Sequence, residues 1–116
     1  MVIYMKKRTM QEFINDGMLK ISFNGFYDYT QFDEALKIYT KEMGAVCTNS
    51  SVGFFDSASS VTILEGIELQ WNFDNWICIE LSYSNPDDTI VKDKIRQWAN
   101  QIFTKLIKKY GEYDET

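Results

Sequence analysis

Histidine is absent from the 116-residue chain. Its absence removes the commonest general base, the commonest metal ligand and every nucleophile that an imidazole would activate. None of the six glycines falls in a GxGxxG or GxxxxGK spacing, so the sequence predicts no phosphate-binding loop. We therefore expect a protein that is not an enzyme and that needs no cofactor and no metal ion.

Only two cysteines occur, Cys47 and Cys78, and no motif pairs them. Two isolated thiols cannot close a structural zinc site, which needs four ligands. Reduced, buried thiols in a cytoplasmic protein are the expectation, and a disulfide between facing strands is the less favoured alternative. The apolar run Trp76–Ile79 is far shorter than a membrane span, and no secretory leader is visible, so we expect no membrane partner.

Hydrophobic residues make up 45% of the chain, enough for one folded domain over residues 1–116. Its first segment, Thr9–Gly17, predicts a short helix, because Thr9 and Glu12 form a capping box and Gly17 suits the position after a helix. Met18 is an alternative start to Met1, which would make residues 1–17 a dispensable helical extension.

Two longer helices are predicted by apolar residues at helical spacing. The first has Thr30 as its N-cap and ends at Gly44. The second has Asn85 as its N-cap and Pro86 in its first turn, and Gly111 ends it. The tail that follows is expected to be frayed.

Alternation of apolar and polar residues predicts four to five strands, in segments 19–24, 45–55, 61–64, 67–73 and 77–83. Glu65-Gly66 is compatible with either a two-residue turn or a bulge, and Asp74-Asn75 predicts a tight hairpin turn. The predicted fold is α+β, an antiparallel meander with two main helices on one face, in the order α-β-α-β-β-β-β-α. The predicted core packs Ile67, Leu69, Trp71, Ile77, Ile79 and Leu81 against Trp98, Ile102 and Leu106.

Charge is segregated along the chain, whose net charge is -5. No lysine or arginine lies between Glu42 and Val91, whereas the segment from Lys92 to Gly111 carries six basic residues against Asp93 alone. One interpretation is solubility, with acids that keep the sheet from self-pairing. The other is an acidic recognition surface, which attracts basic proteins and repels nucleic acid.

A candidate binding face follows from the alternation in the last two strands. It combines a tryptophan with polar and acidic side chains, the composition of an interface anchor with a polar rim. The predicted partner-binding residues are Glu68, Gln70, Asn72, Asp74, Trp76 and Glu80. Packing of Trp76 under the N-terminal segment is the alternative, and use of Glu68 and Glu80 as an acid–base pair is a less favoured one.

In size, acidity and lack of catalytic apparatus, the chain is similar to immunity proteins of bacterial toxin systems and to phage-encoded inhibitors. The similarity is one of type and involves no particular residues. It implies a stoichiometric inhibitor whose partner is a basic protein, a toxin or another enzyme. A small adaptor or subunit without inhibitory activity is the alternative.

Overall fold

The computed structural model describes residues 5–52, 57–74 and 77–115. Within these residues it confirms an α+β fold, with a six-stranded antiparallel sheet, a separate two-stranded ribbon and two main helices. The strands are β1 (Met5–Lys7), β2 (Thr9–Asn15), β3 (Met18–Asn24), β4 (Val46–Val52), β5 (Ala58–Leu64), β6 (Ile67–Phe73), β7 (Ile79–Tyr83) and β8 (Tyr113–Glu115). The helices are α1 (Tyr29–Lys37), extended by a π-helical turn over Ile38–Glu42, and α2 (Thr89–Tyr110).

The large sheet has the strand order β2-β3-β7-β6-β5-β4, and every neighbouring pair is antiparallel. Two of its hairpins close through two-residue turns, Asp16-Gly17 and Glu65-Gly66. The φ angles are 55° and 73° in the first turn and 52° and 76° in the second. Two successive positive φ angles define a type I′ turn, whose twist matches that of the strands. Glu65-Gly66 is therefore a turn and not a bulge.

The short helix predicted over Thr9–Gly17 is wrong, because these residues form β2 and its turn. Seven residues of β2 pair with β3, from Thr9 opposite Asn24 to Asn15 opposite Met18. A capping box contributes about 1 kcal/mol to a helix, and here the longer antiparallel ladder prevails. Within the predicted extension, Thr9–Asn15 is thus an integral strand of the sheet and not a dispensable segment.

Each main helix has an aspartate as its N-cap, and in neither helix is it the residue that the sequence predicted. Asp28, not Thr30, caps α1, and its Oδ1 accepts the Thr30 N–H at 2.7 Å. Asp88, not Asn85, caps α2, and its Oδ1 accepts the Val91 N–H at 3.1 Å. A carboxylate at the N-cap satisfies an orphan N–H and also interacts favourably with the helix dipole.

The tail after Gly111 was predicted to be frayed, but its residues Tyr113–Glu115 form a paired strand, so the prediction is wrong for them. Lys6 lies opposite Asp114 and Lys7 opposite Tyr113, which makes β8 the antiparallel partner of β1. This ribbon joins the two ends of the described chain. The pairing is non-local, between residues more than 100 positions apart in sequence, and no local pattern predicts it.

The core lies between the helices and one face of the large sheet. Trp71 of β6 is fully buried, with its ring centroid 5.4 Å from that of Tyr39, and Trp98 of α2 lies 6.1 Å from Tyr39. Phe23 of β3 stacks on Phe103 of α2 at 6.0 Å. The predicted core is confirmed for eight of its nine residues: Ile67, Leu69, Trp71, Ile79, Leu81, Trp98, Ile102 and Leu106.

Candidate functional site

Five of the six predicted binding residues lie in or directly after β6, or in β7, and the sixth, Trp76, is not among the described residues. Gln70 lies directly opposite Ser82, and Asn72 opposite Glu80. The intervening pair of Trp71 and Leu81 is buried under the helices, so the polar pairs point to the other side of the sheet. We call this side the helix-free face; it carries Lys20, Ser22, Ser59, Val61, Glu68, Gln70, Asn72, Glu80 and Ser82.

Glu80 is the centre of a polar cluster on this face. Its Oε1 lies 3.3 Å from Lys20 Nζ, and its Oε2 accepts a hydrogen bond from Ser22 Oγ at 3.4 Å. The side chains of Lys20 and Glu80 are only 20% and 13% exposed. Because removal of one partner would leave the other charge partly desolvated, Glu80 has a structural role besides any role in binding.

A depression of about 430 Å³ opens on the helix-free face, at the end of β6 and β7 nearest their connecting turn. Its polar lining includes Lys20, Ser51, Ser59, Asn72, Asp74 and Glu80. Carboxylates, a carboxamide and hydroxyls offer several hydrogen-bond acceptors around one cavity. The half-exposed side chain of Ile77 adds an apolar wall, so the depression can hold a cationic group together with its aliphatic stem.

Asp74 shapes the turn at the rim of the depression. Its Oδ1 accepts the Ile77 N–H at 2.5 Å, and its own N–H donates to the Ile77 carbonyl at 3.0 Å. Ile77 was predicted to be buried, and this is wrong: it is 50% exposed, because β7 begins only at Ile79. Trp76 lies outside the described residues, so its role as an anchor stays a prediction.

The charge segregation of the sequence becomes ion pairing in the folded chain. Four cations of α2 pair with acids from other elements: Lys94 with Glu65, Arg96 with Glu12, Lys105 with Glu42 and Lys109 with Glu34. Exposed pairs of this kind contribute only about 0–1 kcal/mol each. Two of the paired acids, Glu42 and Glu65, belong to the predicted acidic segment, so the pairs neutralise part of that segment's charge. On and beside the helix-free face, Glu68, Asp74 and Glu80 remain, against Lys20.

Neither cysteine has the surroundings of a reactive nucleophile. Both thiols are free. Cys78 is buried, and burial raises the pKa of its thiol, although a hydrogen bond with Ser22 opposes this shift. Cys47 was predicted to be buried and is exposed, because it lies on the edge strand β4. In the described ranges, no group of three or more side chains of metal-ligand type could hold a metal ion.

The acid–base pair of Glu68 and Glu80 is not assembled by the sheet. Glu80 lies opposite Asn72, and Asn72 is four residues from Glu68 along β6. At about 3.3 Å per residue, the two backbone positions are separated by about 13 Å. Carboxylate pairs that share a reaction are about 5–10 Å apart. The geometry therefore favours separate roles for these two side chains.

Four polar residues that line the depression were not among the predicted binding residues: Lys20, Ser51, Ser57 and Ser59. Lys20 was already on the polar side of an alternating strand, but its proximity to Glu80 depends on β3 lying beside β7. Ser51 and Ser59 are direct partners across β4 and β5. The β4–β5 pairing is between consecutive strands, whereas the β3–β7 pairing is not sequential and no local signal encodes it.

No family model, curated protein or solved structure matches the chain. The fold and its polar face define the class: an α+β domain with helices on one face of an antiparallel sheet and a polar depression on the other. No helix in the described part of the chain has the length and apolar character that a bilayer crossing requires.

Proposed function

We propose that the protein is a non-enzymatic protein-binding module that acts in the cytoplasm as a stoichiometric inhibitor of a basic protein, such as a toxin or another enzyme. The observation that carries this proposal is the depression of about 430 Å³ beside Asp74 and Glu80. An inhibitor needs one complementary surface and no catalytic group. The helix-free face offers such a surface.

The charge balance favours a cationic partner. Glu68, Asp74 and Glu80 outnumber Lys20 on and beside the helix-free face, so a partner's lysine or arginine is attracted to the depression. The same acids disfavour nucleic acid, whose binding depends on neutralising phosphates. The cations of α2 offer little to phosphate, because four of the six pair with acids within the chain.

The residues of the face divide into steering and holding roles. Glu68 and Gln70 are exposed, and exposed charges act mainly on the rate of encounter. Asn72 and Glu80 line the depression and are half-buried, so they contribute to retention of a bound side chain. From the sequence pattern we also assign Trp76 the role of an aromatic anchor, whose truncation raises the dissociation rate.

To test the proposal, the partner is first identified by affinity capture from the source cells and mass spectrometry, and is then purified. Titration calorimetry should give a 1:1 complex, and the partner's activity should fall in proportion to the complex formed. A stable complex without any loss of activity would favour the adaptor alternative. Failure of the purified proteins to bind would contradict the proposal.

Kinetic variants then locate the surface. Glu68→Lys should slow association by roughly threefold to tenfold at low salt, and the effect should fade as salt screens the charge. Asp87→Lys is the matched control, with the same charge change on an exposed aspartate that precedes α2. If neither salt nor Glu68→Lys changes the association rate constant, the helix-free face is excluded as the binding surface.

A further inference from the structure

β4 forms one edge of the large sheet, and within the described ranges its strand partner is β5. All seven residues of Val46–Val52 are exposed, and none is charged or a proline. Edge strands are usually protected from further pairing by such residues. On the opposite edge, Glu12 of β2 is held by Arg96 of α2. Among residues 5–52, 57–74 and 77–115, β4 is therefore the edge that leaves backbone groups open to another strand.

The second half of β4 is a regular and well-held strand. A bulge at Thr48 interrupts the register with β5, and Thr48 Oγ1 donates to the Val61 carbonyl at 3.3 Å. Beyond the bulge, Asn49–Val52 pairs with β5 without interruption. Two hydroxyl hydrogen bonds of 2.8 Å each hold this segment, Ser50 to Ser60 and Ser51 to Ser59. A rigid edge loses little entropy when another strand adds to it.

A groove of about 80 Å³ lies between this segment and α1. Tyr29, Phe32 and Leu36 line it from α1, and Val52 lines it from β4. Tyr29 is 42% exposed and Val52 is 68% exposed, so the mouth of the groove presents apolar surface. A free edge strand beside an apolar groove is how many domains bind extended peptides. The backbone supplies hydrogen bonds, and the groove selects an alternate side chain.

We infer that Asn49–Val52 accepts an extended strand of the partner as a seventh strand of the sheet, with one apolar side chain in the groove beside Val52. The partner strand alternates basic and apolar residues. No lysine or arginine occurs between residues 43 and 90. Asp33 in the groove is paired with Lys37 at 2.8 Å, so it offers little to an added cation. When an apolar side chain of the added strand enters the groove, the alternate cations point to the helix-free face, where Asp74 and Glu80 line the depression.

This inference rests on the proposed function, because it takes the added strand to belong to the same basic protein. The two surfaces are continuous, since Ser51 and Ser59 line both the groove and the depression. A partner strand at β4 would bring neighbouring side chains of the partner to the helix-free face.

The test uses the full chain labelled with ¹⁵N and the peptide acetyl-Lys-Val-Lys-Val-Lys-Val-amide. The control peptide has glutamate in place of each lysine. The basic peptide should shift the amide signals of Asn49–Val52, Tyr29 and Leu36 and slow amide exchange in β4. The acidic peptide should bind at least roughly tenfold more weakly at low salt. No binding at millimolar peptide, equal binding of both peptides, or shifts confined to other residues would overturn the inference.

A matched pair of variants separates the groove from the strand as a whole. Val52→Lys and Val46→Lys add the same charge to the same strand, at positions 68% and 62% exposed, but only Val52 lines the groove. Val52→Lys should abolish the shifts caused by the basic peptide, and Val46→Lys should retain most of them. Equal effects of the two variants would count against the groove.

With the partner identified, the same variants separate the two proposals. Loss of partner binding in Val52→Lys, with slower association in Glu68→Lys, supports both. Partner binding that tolerates Val52→Lys but is slowed by Glu68→Lys overturns strand addition alone. If the basic peptide binds at β4 but no protein partner forms a complex, the proposed function is contradicted, whereas the inference that β4 accepts an added strand stands.

Discussion

Arg8 and Gly25 are in direct contact, and each depends on the identity of the other. Arg8 Nε donates to the Gly25 carbonyl at 3.0 Å, and a Cβ on Gly25 would lie 2.5 Å from Arg8 Cγ. The guanidinium also donates to the carbonyls of Tyr110 and Gly111, at 2.8 and 3.2 Å, and lies 4.6 Å from the ring centroid of Phe26. One buried cation thus joins the start of the chain to the C-terminal end of α2, where the helix dipole favours positive charge.

Replacement of Gly25 by alanine should therefore destabilise the fold more than backbone strain alone explains. Gly66→Ala is the control, because its φ of 76° is also positive but nothing lies within 4 Å of an added Cβ. Strain at Gly66 should cost about 1–2 kcal/mol. Gly25→Ala also displaces buried hydrogen bonds from a charged group, so we expect about 3 kcal/mol or more by urea unfolding. Equal costs at the two glycines would show that Arg8 moves without penalty.

Truncation of Trp98 should remove much of the stability of the domain. Its side chain is buried beside Tyr39, and loss of a buried tryptophan typically costs about 3–5 kcal/mol. Tyr39→Phe is the control at the same contact: the Tyr39 hydroxyl is buried without a hydrogen-bond partner among the described residues, so its removal should cost little or stabilise. Thermal unfolding measures both. A Trp98→Ala variant with an unchanged midpoint would refute this packing.

The Glu12–Arg96 pair should make stability depend on pH in one direction. Hydrogen bonding to Arg96 lowers the pKa of Glu12 in the folded chain, although partial burial opposes the shift. A lowered folded-state pKa adds stability above the unfolded value, about 4.3, and that stability is lost as pH falls through the folded value. Both side chains are about a third or more exposed, so the effect is small and weakens with salt.

Glu12→Gln should accordingly be less stable than the parent chain at neutral pH, and this deficit should shrink at an acidic pH as Glu12 becomes protonated. Urea midpoints at the two pH values measure the difference. Glu68→Gln, an exposed glutamate on the helix-free face, should change little at either pH. A deficit in Glu12→Gln that persists unchanged in acid would mean that the carboxylate charge is not its cause.

The two thiols should react at different rates in the folded protein. Cys47 is exposed, whereas Cys78 is buried and burial raises its thiol pKa. Iodoacetamide at neutral pH should therefore modify Cys47 first, and Cys78 should react at a comparable rate only in denaturant. Peptide mass spectrometry identifies the modified residue. Replacement of both cysteines by alanine should leave partner binding intact after allowance for lost stability; a specific loss of binding would contradict their proposed inert role.

The local patterns that predicted the fold correctly were the long and periodic ones. Strict alternation over Ile67–Phe73 predicted β6 and its buried face, and the apolar stripe of Thr89–Tyr110 predicted α2 and its end at Gly111. A side-chain period of two also placed Gln70 and Asn72 on one face without knowledge of the neighbours. Such features depend on residues close in sequence, so the sequence is enough to predict them.

Short or ambiguous patterns were decided by tertiary contacts. The capping box at Thr9 is a weak local preference, and pairing of β2 with β3 outweighs it. The segregated charges suggested an acidic sheet, yet the packing of α2 against the rest of the chain pairs Glu42 and Glu65 with its cations. In the first case a non-local strand pairing overrides a local preference of about 1 kcal/mol. In the second, the ion pairs follow from the position of α2 in the fold, which the order of charges along the chain does not reveal.

The sequence by itself determined the α+β class, most of the core and the face on which Gln70, Asn72 and Glu80 lie. The spacing of hydrophobic residues shows which face of an element is buried, because removal of apolar side chains from water is favourable. Only the tertiary structure decided that Lys20 pairs with Glu80, that β4 is an edge strand among the described strands and that Arg8 is buried. These features follow from the strand order and the joining of the chain ends, which depend on contacts between residues far apart in sequence.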